Sequence, residues 1–329
     1  MQKLLIVTAG LMLMAASPTL AAGPSLSVSG TTLQIDGRAG FLLGVSLFDA
    51  LGPTPPRDQD LDALKAWGSV IVRVWAHWRQ PIYGADGALT ASGRARLLAL
   101  SERLGARGLI LELVLLRPGQ LAGQPYALFA SPEARLRAID SITLALRDSR
   151  HVLFDLYNEH DHPDGPISHA ELRVMRDRVK AADPQRIVTV SSTGNHLMTP
   201  DGRIGPEEAR NLAEEAGTTA PAVAADVVGV HFPRTDDWAA STATRVGAMR
   251  AALDRLGRRL PIYLNEEQRA DRKMPMPPEV YLRAASGARQ AGAAGWLLHT
   301  DAGYDLARKP FIEALMPTER TALEQLRRP

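Results

Sequence analysis

His151-Val-Leu-Phe-Asp-Leu-Tyr157 is a short apolar run, followed directly by Asn158-Glu159-His160-Asp161-His162. An apolar stretch of this length, ended by polar residues, suits a strand covered on both faces. Seven further stretches share the pattern: Phe41–Leu47, Ser69–Trp75, Leu109–Leu115, Arg186–Ser191, Asp226–His231, Leu260–Asn265 and Ala293–His299. Their starts recur 28 to 42 residues apart. Amphipathic helical patterns lie between them. Arg94–Arg107 ends at Gly108 and Arg245–Leu256 at Gly257, glycines suited to left-handed helix C-caps. Ser131-Pro132-Glu133 opens another helix, with Ser131 as N-cap and Pro132 where its missing N–H costs nothing. Eight strand-then-helix units from Phe41 to His299 predict an α/β fold, a (β/α)8 TIM barrel, which takes about 250 residues. The rival is a doubly wound open sheet, which places a Gly-rich phosphate loop after its first strand. Asp49-Ala-Leu-Gly-Pro-Thr-Pro-Pro56 is not such a loop.

The flanking sequence is read in the same way. Leu26–Arg38 alternates and carries turns at Ser29-Gly30 and Asp36-Gly37, so a short N-terminal β-hairpin is expected beneath the barrel. Met1-Gln-Lys3, the apolar stretch Leu4–Ala16 and the small-residue end Leu20-Ala-Ala22 follow the order of a secretory signal peptide. Residues 1–22 are therefore expected to be removed. That leaves 23–329 as one catalytic barrel, secreted or periplasmic, with no membrane partner. The chain has 38 Lys and Arg against 36 Asp and Glu, a formal charge of +2, and no basic run interleaved with aromatics. Nucleic acid is thus not an expected partner. There is no cysteine among the 329 residues, which excludes disulfides, thiolate catalysis and Cys-based metal sites.

In such a barrel the chemistry sits at the C-terminal ends of the strands. Strand two supplies Arg73, Trp75 and His77; strand four, Asn158 and Glu159; strand six, His231. Strand seven supplies Glu266 and Glu267, and strand eight Trp296 and His299. Strands four and seven lie nearly opposite each other in an eight-strand ring. Paired carboxyl groups across a cleft suit glycoside hydrolysis, in which one protonates the leaving oxygen and the other attacks the anomeric carbon or activates water. Around Glu159 and Glu266, Asn158 is placed to bond a sugar 2-hydroxyl, and Arg73 to hold Glu266 ionised by charge pairing. Trp296 is expected to offer a sugar ring an apolar face. Trp75 is expected to wall the cleft, with His77, His231 and His299 as further binding candidates. No cofactor is required by this chemistry.

Phe154-Asp-Leu-Tyr-Asn-Glu159 resembles the Asn-Glu signature of clan A glycoside hydrolases. Pro261-Ile-Tyr-Leu-Asn-Glu266 resembles their strand-seven nucleophile motif, and Asp36-Gly-Arg-Ala-Gly-Phe-Leu-Leu-Gly-Val-Ser46 their opening strand. The resemblance spans roughly Leu33 to Asp301 and is closest to the cellulase-like family 5 enzymes. It implies a retaining mechanism on β-glycosidic bonds, with Glu159 as acid/base and Glu266 as nucleophile. The departures lie elsewhere. The His-x-Tyr frequent on strand six is His231-Phe232-Pro233 here, without the tyrosine hydroxyl near the nucleophile. His299 stands where strand eight often ends in tryptophan, and Leu111–Leu116 lacks the histidine frequent on strand three. Two other readings use the same residues. Glu159-His160-Asp161-His162, joined by His231 and His299, suggests a metal-dependent hydrolase. The altered subsite positions suggest a catalytically silent carbohydrate-binding barrel.

Overall fold

The computed structural model describes residues 23–117, 129, 131–267 and 276–326; the expected signal peptide lies outside them. Three short strands come first: β1 (Leu26–Ser29), β2 (Thr32–Ile35) and β3 (Arg38–Ala39), paired antiparallel in that order. The expected hairpin is thus a three-stranded sheet. Asp36 and Gly37 take φ values of +51° and +74°, the double left-handed turn that folds a strand back tightly, so the chain returns for a third strand.

Eight parallel strands then close into a barrel: β4 (Leu42–Ser46), β5 (Ser69–Trp75), β6 (Ile110–Val114), β7 (Val152–Asp155), β8 (Ile187–Ser192), β9 (Val227–Val230), β10 (Ile262–Leu264) and β11 (Gly295–Leu298). Each falls within or upon one of the apolar stretches, give or take a terminal residue. Helices α1 (Asp58–Ala66), α2 (Ala91–Ala106), α3 (Pro132–Ala145), α4 (His169–Ala182), α5 (Pro206–Glu215), α6 (Trp238–Arg255) and α7 (Pro278–Gln290) alternate with them. After β11 come α8 (Phe311–Ala314) and α9 (Pro317–Leu326). The caps follow local chemistry. Ser131 Oγ accepts from Ala134 N at 3.2 Å, with Pro132 beginning α3. Gly108 and Gly257 have φ of +68° and +66°, as left-handed caps require.

Strand side chains alternate between two environments. Val72, Val74, Leu111, Leu113, Val152, Phe154, Val188 and Val190 pack outward in the large core shared with the helices. Inside the barrel, Leu42, Ile71, Ile110, Leu153, Ile187, Val227, Tyr263 and Leu297 form an apolar floor, on which Leu26 and Leu33 of the N-terminal sheet pack. The backbone N–H of Leu26 also donates to Arg150 O at 3.0 Å. Two residues further along the strands, the interior turns polar: Arg73, Glu112, Asp155, Thr189 and Asn265 are all buried. A Cβ at Gly229, in this layer, would meet Thr189 Oγ1 at 2.8 Å and Val190 O at 2.9 Å, so glycine leaves room for its neighbours.

The N-terminal sheet is thus the plug of the barrel. Leu33→Ala, which empties a fully buried position in that floor, is expected to cost about 3 kcal/mol. The midpoint of urea unfolding would report it; an unchanged midpoint would mean that the sheet is not part of the cooperative core.

Candidate active site

Arg73 sits at the centre of the polar layer, fully buried. Its Nε donates to Glu112 Oε1 at 3.0 Å, Nη2 to Asp155 Oδ2 at 2.7 Å and to Asn158 Oδ1 at 2.8 Å, and Nη1 to Glu266 Oε2 at 3.0 Å. The guanidinium also lies 4.5 Å from the Trp75 ring centroid. Burial works to lower its affinity for the proton, but Glu112, Asp155 and Glu266 outweigh burial and raise it. Burial pushes Glu112 up, against the pull of Arg73. Asn265 Nδ2 at 3.0 Å and Tyr263 Oη at 2.7 Å donate to its two oxygens. This network leaves the carboxylate of Glu266 held by a cation that is itself immobile.

Glu266 collects more positive charge from the other side. Arg234 Nη2 donates to its Oε1 at 2.8 Å. His299 Nε2 stands 3.6 Å from Oε1, and His231 Nε2 3.9 Å from Oε2. Burial works to raise its pKa, but His299, His231, Arg234 and Arg73 together hold it well below the usual carboxylate range. These charges favour the ionised form of Glu266. The adjacent Glu267 is pushed up by burial to about 7, against the pull of Arg234, Trp296 and Arg245.

Glu159 follows β7. Its backbone φ is +50°, a left-handed conformation that costs a non-glycine residue about 1 kcal/mol or more. Bonds from His160 N to Ser191 O (3.1 Å) and from His162 N to Glu159 O (2.9 Å) hold it there. Its Oε1 lies 3.1 Å from His231 Nδ1. One oxygen of Glu159, one of Glu266 and a nitrogen of His231 all lie within 4.8 Å of one another. The two glutamates keep 9% and 7% of their surface exposed, which leaves room for a ligand atom to reach them.

The remaining candidates divide by position. His231 lies between the two carboxylates, bonded to Glu159 and 3.9 Å from Glu266, and His299 is beside Glu266, its Nδ1 3.4 Å from Ser46 Oγ. Asn158 accepts from Arg73 and stands at the edge of this group. Arg73, expected among substrate-binding residues, is sealed in the barrel and acts on Glu266 from below. Trp75 stacks on Phe48 at 3.7 Å and is buried. Trp296 is fully buried among the helix-facing residues, because its strand parity directs it out of the barrel. It offers no face to a sugar. His77 is buried as well; burial and the nearby Arg117 push it down to about 3, so it is a neutral ring beneath the cleft. The run Glu159-His160-Asp161-His162 does not gather into one ligand set. His162 turns outward toward Asp164 at 3.7 Å, Asp161 accepts from Thr193 N at 2.7 Å, and His160 points to Glu215.

Three residues of this region were not singled out in the sequence. Glu112 occupies the inward parity of β6, where a residue-by-residue count along the strand would have found it opposite Arg73. Arg234 occupies the loop after strand six and donates to Glu266 Oε1. Tyr304 belongs to an aromatic cluster with Phe48 (4.4 Å) and Trp78 (4.9 Å), and Trp78 Nε1 donates to its carbonyl at 3.0 Å. Its ring lies 6.5 Å from that of His299 and remains partly exposed.

No family model matches the chain, and no curated protein matches it in sequence. Solved structures do. The chain is similar to the endo-1,4-β-mannanase of Eisenia fetida, at 14% identity and a TM-score of 0.62, covering 93% of this chain and 96% of that one. It is similar to the β-1,4-D-mannanase of Cryptopygus antarcticus at 14% identity and TM-score 0.62, with coverage of 92% and 94%. A glycoside hydrolase family 5 enzyme of Prevotella bryantii matches at 16% identity and TM-score 0.61, with coverage of 87% and 95%. At these identities the likeness is one of fold, the (β/α)8 barrel.

Two substitutions separate the roles of the arginines. Arg73→Met leaves Glu112, Asp155 and Glu266 without their buried cation and is expected to cost about 3–5 kcal/mol in denaturant unfolding. Arg234, whose side chain is 36% exposed, should cost under about 1 kcal/mol when replaced by alanine. Loss of its charge favours the neutral form of Glu266, so the pKa of Glu266 rises. Wherever turnover requires that carboxylate, the acidic limb of the kcat/KM profile should move to higher pH by about one unit. An unmoved limb would mean that Glu266 does not set it.

Proposed function

We propose that the chain is a retaining glycoside hydrolase that cleaves β-glycosidic bonds of an oligo- or polysaccharide by double displacement. The observation that carries this reading is that one oxygen of Glu159 and one of Glu266 lie within 4.8 Å of each other across the barrel mouth. Retaining enzymes hold their carboxyl groups about 5–5.5 Å apart, whereas inverting ones leave about 6.5–9.5 Å for a water. Glu266, ionised by Arg73, Arg234 and the two histidines, attacks the anomeric carbon and forms a glycosyl ester. Glu159 gives its proton to the departing glycosidic oxygen. It then takes a proton from the water that cleaves the ester, so both carboxyl groups end in their starting states. His231, between the two, orients Glu159 through Nδ1. Tyr304 provides the partly exposed aromatic face beside the nucleophile that a sugar ring can pack on. Fold likeness to β-1,4-mannanases makes mannan the first polysaccharide to test.

The same reading includes export. The charged, apolar and small-residue order of the first 22 residues supports cleavage near Ala22 or Gly23. Among the described residues no helix is long and apolar enough to cross a membrane. Intact mass of the protein from its native host tests this, and a mass retaining Met1–Ala22 would refute it.

The mechanism is tested by chemical rescue. A panel of chromogenic β-glycosides and β-linked polysaccharides, mannan included, identifies a substrate, with Glu159→Gln as control. Glu266→Ala should lose at least about 10³-fold in kcat, and azide should restore turnover with inverted anomeric configuration. Glu159→Ala should retain activity on substrates whose leaving groups need no proton, and azide should then yield a product of retained configuration. Near-normal hydrolysis of unactivated glycosides by either variant would reject the assignment.

A further inference from the structure

A second cluster of titratable side chains adjoins the cleft but takes no part in the chemistry above. His160 follows the acid/base residue. His169 is the first residue of α4, His196 lies in the loop after β8, and Glu215 is the last residue of α5. Their ligand-type atoms all lie within 4.8 Å of one another. Three imidazole Nε2 atoms converge on Glu215 Oε1, at 3.0 Å from His160, 3.6 Å from His196 and 3.9 Å from His169. A tetrahedral zinc site with bonds of about 2.0–2.1 Å has ligand-to-ligand edges of about 3.3–3.4 Å. The three distances bracket that edge.

The polar accounting points the same way. His160 and Glu215 are almost fully buried. His169 Nε2, His196 Nε2 and Glu215 Oε2 have no hydrogen-bond partner. Buried polar atoms are rarely left so, and three in one cluster call for a common partner. The outer nitrogen of His169, Nδ1, is bonded to Glu214. That is the carboxylate–histidine arrangement that turns the inner nitrogen's lone pair toward a metal. Asn211 Nδ2 holds the backbone carbonyl of His196 at 3.0 Å.

We propose that His160, His169, His196 and Glu215 form a closed, four-coordinate site for a zinc-class divalent cation. Three imidazoles and one carboxylate suit Zn2+, and four protein ligands leave no open position for a catalytic water. The role is structural. The cation ties the segment after β7, the start of α4, the loop after β8 and the end of α5 to one point. It thereby anchors His160, the neighbour of the left-handed Glu159. This site is independent of the glycosidase reading, and metal stoichiometry reports on it without any sugar.

The test uses the purified full chain, loaded with Zn2+, passed over a desalting column and assayed by elemental analysis. The wild type, Glu159→Gln and Glu266→Gln should each retain about one zinc per chain, and Glu215→Gln and His196→Ala less than about a fifth of that. Co2+ in place of zinc should give the strong visible absorption of a tetrahedral site. Stripping the wild type with chelator should lower its Tm by on the order of 5 °C, restored by Zn2+. The wild-type arms decide the question even if a variant fails to fold. A zinc-loaded wild type carrying no zinc, with an unchanged Tm, would overturn the proposal. So would zinc kept by Glu215→Gln but lost by Glu266→Gln, which would place the ion among Glu159, His231 and Glu266.

Discussion

The guanidinium of Arg73 is the constraint on which the upper half of the barrel depends. A buried ion left unpaired costs several kcal/mol, so its site must hold enough negative charge to keep it. Glu112 and Asp155 supply that charge from the two strands following β5. Each of these would in turn be untenable without Arg73. The group is locked, and its remaining donor edge is presented to Glu266. The nucleophile role proposed for Glu266 requires a carboxylate that stays charged without being neutralised by a proton or displaced by a mobile counter-ion. A cation fixed from below and a half-exposed Arg234 from above meet both needs.

Strand parity translates this constraint into a cleft. Each barrel strand sends alternate residues inward. The floor is apolar, the next inward layer holds the Arg73 network and His299, and the one above holds Ser46, Ser191 and His231. Polarity thus rises in steps toward the C-terminal ends of the strands, where water can enter. Glu159 and Glu266 occupy the segments just beyond. The left-handed backbone at Glu159 directs its side chain toward the cleft and sends His160 away into the histidine cluster, so one residue's conformation separates two environments.

Much of this was legible in the residues alone. The eight apolar stretches mark the eight strands, because strands covered on both faces carry little else but apolar side chains. Ser131-Pro132, Gly108 and Gly257 mark helix ends for reasons of hydrogen bonding and backbone sterics that need no tertiary context. The pairing of Glu159 with Glu266 followed from placing both at strand ends on opposite sides of a ring. What escaped were matters of direction. Trp296 and Arg73 both read as available to a substrate in sequence, yet parity turns Trp296 outward, and the depth of Arg73 in the barrel buries it. Glu112 was hidden inside an apolar run because its partner lies 39 positions away in sequence. Glu159-His160-Asp161-His162, joined by His231 and His299, reads as a single metal cluster in sequence, but consecutive residues in a turn point in different directions. The ligand-like partners of His160 come from three later segments that no local pattern connects.

The proposed double displacement makes Glu266, rather than Glu267, the residue that becomes covalently bonded to sugar. Burial pushes Glu267 up to about 7, whereas the charges around Glu266 hold it ionised. The direct measurement is trapping with an activated 2-deoxy-2-fluoro-β-glycoside of whichever sugar the enzyme accepts, followed by peptide mapping by mass spectrometry. Time-dependent inactivation is expected, with one sugar added per chain and the adduct on Glu266. An adduct on Glu267 or Glu159, or continued turnover of the fluorosugar's parent glycoside with no adduct formed, would contradict it.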